Sequence, residues 1–207
     1  MNSTAKFPTN FIFGTATAAY QIEGAVNQDG RGKSVWDTFS HKKGKIRNGD
    51  NGDIACDHYH RYKGDVALMK ELGLDAYRLS IAWPRIIPNG TGEINQAGLD
   101  FYSDLIDELL DAGITPYVTL FHWDMPQALD DRYGGFLSRQ CAYDFAQYVE
   151  VVVKALGGRV KNWITLNEPW EHGCLGYVMG KHAPGKVKPW RFLTVMHHQH
   201  LAHGLAI

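Results

Sequence analysis

Gly73-Leu74-Asp75-Ala76-Tyr77-Arg78-Leu79-Ser80-Ile81-Ala82 opens on a glycine stop and continues as an alternating run. Read as a strand, Asp75 to Ala82 sets Arg78 and Ser80 on one face. Upstream, Tyr59, Tyr62, Val66, Met69 and Leu72 recur at helical spacing, and Gly73 ends that helix. Downstream lies Pro84, and Asn95 is placed to cap a second helix carrying Leu99, Tyr102, Ile106 and Leu109, which Gly113 stops. Helix, two-residue turn and buried strand therefore make one unit, and the unit recurs. Thr115 to Phe121 reads as a strand, and Ser138 opens a helix with Cys141, Phe145, Tyr148, Val152 and Leu156 on one side. Gly157-Gly158 closes that helix, and Val160 to Leu166 is the next strand. The series starts from a strand-like run at Phe11-Ile12-Phe13 that reaches Gly14, and a last helix begins near Trp190 with Phe192, Val195 and Met196.

Strands alternating with helices of this length predict an α/β fold with a parallel sheet and right-handed crossovers. The turns that enter strands, Gly73-Leu74 and Gly113-Ile114, are minimal. The loops that leave the first and fourth strands are long, the first running to about Asp57. That asymmetry puts the chemistry at the carboxyl ends of the strands. A closed barrel and a doubly wound sheet both have it, so pattern alone leaves the two open. A nucleotide-binding doubly wound domain is disfavoured, because no glycine-rich turn follows the first strand.

The 207 residues are 44% hydrophobic, 12% aromatic and 21% charged, ordinary values for a soluble domain. With 21 basic and 22 acidic residues the net charge is −1, which gives no electrostatic reason to expect nucleic acid or an anionic membrane as partner. Cys56, Cys141 and Cys174 form neither a disulfide framework nor a metal motif. Met1 to Lys6 lacks a signal-peptide core, so the Asn-x-Ser/Thr matches at Asn2 and Asn89 carry no weight, and the expected compartment is the cytoplasm. Gly30-Arg31-Gly32-Lys33-Ser34 only hints at a phosphate loop, since Asn27 stands where glycine is needed. His197, His198, His200 and His203 lack the spacing and the Cys or acidic partners of a zinc site.

The expected strand ends gather a different chemistry. Tyr20-Gln21-Ile22-Glu23-Gly24 follows the first, Arg78 and Ser80 lie on the second, Phe121-His122-Trp123-Asp124 ends the third, and Asn167-Glu168-Pro169 ends the fourth. Three carboxylates with Arg, His, Asn, Gln and Trp on one rim suit a hydroxyl-rich ligand, because each hydroxyl both donates and accepts.

Thr165-Leu166-Asn167-Glu168-Pro169 resembles the acid/base signature of glycoside hydrolase family 1, the β-glucosidase and 6-phospho-β-glycosidase family. Phe11 to Gly24 is similar to that family's N-terminal signature. Tyr77 to Arg85 and Thr119 to Pro126 match further family segments in order, so the likeness covers essentially the whole chain. The resemblance implies a (β/α)8 TIM barrel of which residues 1–207 supply about the first four βα units, a half-barrel within a single domain. It implies retaining hydrolysis of a β-linked glucoside or related sugar, with no metal or cofactor. Glu168 would be the general acid/base, and Asn167 would hold the sugar 2-hydroxyl. Gln21, His122 and Trp123 would bind other hydroxyls, and Arg78 would orient the nucleophilic carboxylate and keep it ionised.

Retention needs a second carboxylate about 5–5.5 Å away. The family's Thr-Glu-Asn-Gly-like nucleophile segment does not occur in this sequence. Together with an apparent mid-helix ending from His197 to Ile207, this gives the expectation of half a barrel that pairs with a complementary C-terminal half or with a copy of itself. Alone, the chain is expected to bind sugar weakly and turn over negligibly; the competing reading is an inactive sugar-binding or folding fragment. Read individually, Glu23 and Asp124 are expected to be structural, with Asp124 placing a neighbouring loop. Trp36 and Trp83 are expected in the core. Trp170 and Tyr177 either line an aglycone site or do not.

Overall fold

The computed structural model describes residues 6–207, so the match at Asn2 lies outside the described residues. In chain order the labelled elements are β1 (Gly14–Ala16), α1 (Ala19–Ile22), α2 (Val35–Ser40), α3 (His58–Glu71), β2 (Ala76–Ser80), α4 (Trp83–Ile86), α5 (Gln96–Asp111), β3 (Thr115–Phe121), α6 (Gln127–Tyr133), α7 (Gln140–Leu156), β4 (Asn162–Leu166), α8 (Pro169–Glu171) and α9 (Phe192–Ala206). The strands form one parallel sheet in sequence order, with Ala16 beside Arg78, Arg78 beside Tyr117, and Tyr117 beside Asn162. Consecutive parallel neighbours joined by α3, α5 and α7 are what a run of βα units requires.

The turns form as the sequence predicts. Gly73 and Gly113 have φ of 69° and 79°, the left-handed region that glycine enters without Cβ strain. Past them, Leu74 and Ile114 donate back to Met69 and Leu109, closing each helix before the next strand begins. On α7 the buried side chains include Cys141, Phe145, Tyr148, Val149, Val152 and Leu156. Their spacing draws one stripe along the helix, and each large one contributes about 1.5–3 kcal/mol by leaving water. Trp83 stacks on Tyr148 at 5.1 Å and is fully buried, as expected of a core residue.

Two differences from the sequence reading have clear causes. First, β1 begins at Gly14, not at Phe11. Phe7, Phe11 and Phe13 instead form an exposed ring cluster with centroids 4.5–5.0 Å apart. Phe13 is pinned by Asp75, whose carboxylate accepts its N–H at 2.9 Å, while its carbonyl accepts from the Asp75 and Ala76 N–H groups; regular pairing with β2 starts at Gly14. Second, Leu72 does not face the core; Leu68 and Leu72 are 54% and 66% exposed. They line a shallow groove of about 300 Å³ between α3 and the outer strand β1, also lined by Thr15, Ile22, Leu74 and Tyr77. Both outer strands are bare: β1 is exposed throughout and β4 is half-buried throughout, whereas β2 and β3 are mostly buried.

Candidate active site

The long connection after β1 is folded back over the sheet. Thr17 N–H donates to Arg78 O, and Ala19 N–H donates to Ser80 Oγ at 2.7 Å, so α1 sits on the carboxyl end of β2 and carries Gln21 there. Asn167 extends the sheet one residue past β4 by donating its N–H to Phe121 O at 2.9 Å. From β2, the Arg78 guanidinium donates through Nε to Thr119 Oγ1 at 3.1 Å and through Nη2 to Asn167 Oδ1 at 2.6 Å. Asn167, 7% exposed, donates its Nδ2 to Glu168 Oε2 at 3.1 Å. Arg78 thus ties β2 to β3 and to the end of β4, and one hydrogen-bonded line runs Arg78, Asn167, Glu168.

Trp123 and Glu168 both have positive φ, 75° and 42°, which non-glycine residues rarely adopt outside functional or tightly constrained sites. The two are coupled: Trp123 Nε1–H donates to Asn167 O at 2.8 Å. That bond occupies the only donor of the indole, so the ring face of Trp123, not its N–H, is what it leaves free.

Beside this line is a cleft of about 410 Å³ whose walls include Tyr20, Gln21, Trp36, His122, Trp123 and His182. Gln21 and His122 are where the sequence places them. Trp36, expected in the core, packs against the core but is only half-buried and also forms part of this wall, stacked on Tyr20 at 5.8 Å. Glu168 is exposed on the rim, outside the cleft wall proper, and is joined to it through Asn167.

The rim holds fewer carboxylates than expected. Glu23 turns down into the core, 4% exposed, where it accepts from Arg85 Nε at 3.0 Å and from the Tyr102 hydroxyl. Its structural reading holds. Asp124 is 1% exposed and neither carboxylate oxygen has a hydrogen-bond partner, so it places no loop by hydrogen bonding. Tyr177 is fully buried and cannot line an aglycone site, whereas Trp170 is 54% exposed against Phe192. On α9, His198 Nδ1 is hydrogen-bonded to Phe136 O and His203 Nδ1 to Thr165 Oγ1. Among the described residues no group of three or more His, Cys, Asp or Glu could hold a metal ion, and no helix is long and apolar enough to cross a membrane. Sequence reasoning missed Tyr20 and His182 as cleft residues. Tyr20 lay inside a quoted motif and could have been found; nothing local marks His182.

Burial, together with the nearby Arg78 charge, pushes the His122 pKa down to about 4. The ring is then neutral at pH 7, with one nitrogen donating and one accepting, which suits a hydroxyl partner. NMR titration of the His122 ring is expected to give a midpoint near 4, and Arg78→Met is expected to move it up only part of the way to 6.5, because burial is the larger cause. Folding disfavours the imidazolium here, so this group's stabilisation is present above about pH 6.5 and is lost as pH falls towards 4.

The profile of glycosyl hydrolase family 1 matches residues 3–207. This chain belongs to that family. Among its family 1 relatives are Beta-glucosidase 25 of Oryza sativa subsp. japonica, 58% identical over 89% of this chain and 37% of the relative, and Beta-glucosidase A of Thermotoga maritima, 52% identical over 98% and 45%. A crystallised family 1 β-glucosidase from Thermotoga maritima superposes with a TM-score of 0.95 at 52% identity, covering 97% of this chain and 45% of that one. A rice β-glucosidase mutant, in a covalent complex with Glc, superposes at 0.92 with 53% identity, covering 97% and 44%. The chain therefore spans less than half the length of these family 1 proteins, and its four-stranded parallel sheet is the first half of their (β/α)8 barrel.

Proposed function

We propose that residues 1–207 are the N-terminal half of one glycosidase domain, supplying the acid/base side of a retaining β-glucosidase-like site. A complementary C-terminal half-barrel would supply the nucleophile. The observation that carries this reading is the Arg78–Asn167–Glu168 line beside the cleft of Gln21 and His122. Arg78 uses Nε and Nη2 on Thr119 and Asn167, which leaves Nη1 to meet a second carboxylate. Names of relatives point the same way, since the rice and Thermotoga maritima relatives named above are β-glucosidases and one rice structure holds covalently bound Glc.

In this mechanism the partner's carboxylate attacks the anomeric carbon while Glu168 gives its proton to the departing oxygen. Water then attacks the glycosyl-enzyme, and Glu168 takes a proton from it. Asn167 would hold the 2-hydroxyl, with Gln21 and His122 on other hydroxyls and Trp123 offering its ring. No step calls for a metal or cofactor. The proposed compartment is the cytoplasm, in keeping with three unpaired cysteines, one of them exposed.

The partner is argued from the bare edges of β1 and β4 and from the apolar groove at Leu68 and Leu72. In a barrel with right-handed crossovers, that groove belongs to the helix that closes the ring. The exposed Glu168 also favours a second reading, an inactive sugar-binding fragment, because an acid needs covered surroundings to hold its proton near neutral pH. One experiment separates the two. The chain is mixed with a polypeptide carrying the remaining βα units of the Thermotoga maritima relative, and hydrolysis of an aryl β-glucoside is followed. Turnover confined to the mixture, with the β-anomer as first product, supports the enzyme reading. A one-to-one complex without turnover supports the inactive fragment.

A further inference from the structure

We infer that Asp124 is a positioning residue of this site: its uncharged carboxyl, buried under the turn after β3, keeps the Trp123 indole on Asn167, and ionisation releases that contact. Glu168 as the acid enters only in naming what is positioned; the contact itself is independent of that reading.

The turn is clamped from one side. Val35 N–H donates to Met125 O and Gln127 N–H donates to Lys33 O, both at 2.8 Å, and Ser34 bridges to Pro126. Asp124, next to this clamp in the chain, is 1% exposed, and neither oxygen has a partner from another residue. A carboxylate ion there would lose its hydration and regain at most its own backbone N–H in exchange.

The surrounding charges do not rescue it. Glu23, at the end of α1, is committed to Arg85 on α4 and to Tyr102 on α5. Arg31, in the loop before α2, is committed to Asp37 on α2 at 2.8 Å. From α7 comes Tyr148, whose hydroxyl donates to Leu120 O at 2.9 Å. On its own segment the nearest titratable side chain is His122, whose buried Nδ1 is itself unpartnered. Burial first, and the Glu23 charge next, push Asp124 up to about 7; Arg31 and the residue's own backbone N–H oppose, and Asp37 adds a little.

An ion formed in that place can regain water or donors only if the turn moves outward. The residue that must move with it is Trp123, already at a strained φ of 75° and bonded through its indole to Asn167 O. Asn167 in turn holds Glu168. Raising the pH through neutrality therefore loosens one of the supports of the Asn167–Glu168 pair from below.

The test follows the Trp123 indole N–H in the ¹⁵N-labelled chain between pH 5 and 9, its signal assigned with Trp123→Phe. The expected result is a shift with a midpoint near 7 in the wild type and a pH-independent signal in Asp124→Asn. A flat wild-type signal, or an equal shift in Asp124→Asn, overturns the inference. If Asp124→Asn does not fold, the ¹³C carboxyl signal of Asp124 in the wild type decides instead. Titration near 7 in step with the indole supports the inference, and titration below 5 sinks it.

Discussion

Replacing Glu168 by Gln in the complemented barrel is expected to lower hydrolysis of an aryl β-glucoside about 10²–10⁴-fold, the usual contribution of a positioned general acid. Glutamine keeps the shape and can still accept from Asn167 Nδ2, so the line from Arg78 should survive and assembly should be unchanged. What is lost is the proton. The deficit should therefore widen as the leaving group becomes more basic, because a poor leaving group depends most on protonation. The alkaline limb of the pH–rate profile should disappear too, since it reports loss of that proton in the wild type. Steady-state kinetics with a graded set of aryl glucosides measures both effects. Equal activity in variant and parent would remove Glu168 from the chemistry.

The largest expected loss of stability lies in the connection after β1. Glu23→Ala leaves the Arg85 guanidinium, with a side chain 1% exposed, without its counter-ion in the core. Breaking a buried pair from one side costs about 3–5 kcal/mol. Arg85 would retain its bond to Gly24 O at 3.2 Å and its position over the Tyr59 ring, neither of which cancels a charge. Tyr102 would lose the acceptor for its hydroxyl as well. Replacing both partners, as in Glu23→Leu with Arg85→Met, should recover much of the loss, because no uncompensated charge then remains. Urea unfolding of the three proteins at one pH measures the difference; a single variant as stable as wild type would contradict the pair's role.

Most of the fold and the outline of the site were legible because they depend on local rules. Gly73 and Gly113 stop helices where only glycine turns easily, and the stripe on α7 is written at helical spacing. Gln21, His122, Asn167 and Glu168 were found because each stands within a few residues of a strand end and inside a segment with family likeness. The misses depend on long-range packing. Phe11 and Phe13 look like strand residues, yet their rings pack on one another in the open, and regular pairing with β2 starts only at Gly14. Trp36 reaches the cleft wall as well as the core because the loop carrying it folds over the sheet, which no periodicity records. Asp124 reads as a turn residue, and only the folded chain shows its carboxyl shut away from every donor of another residue.

The open ends of the sheet also bear on how copies of the chain could meet. Strand direction is the same throughout, so β4 of one molecule can lie beside β1 of the next without reversal. Such a contact is head-to-tail. If the curvature closes after two molecules, the product is a discrete eight-stranded ring; if it does not, the same contact propagates as a filament. Strand curvature would then decide between a soluble dimer and a fibre.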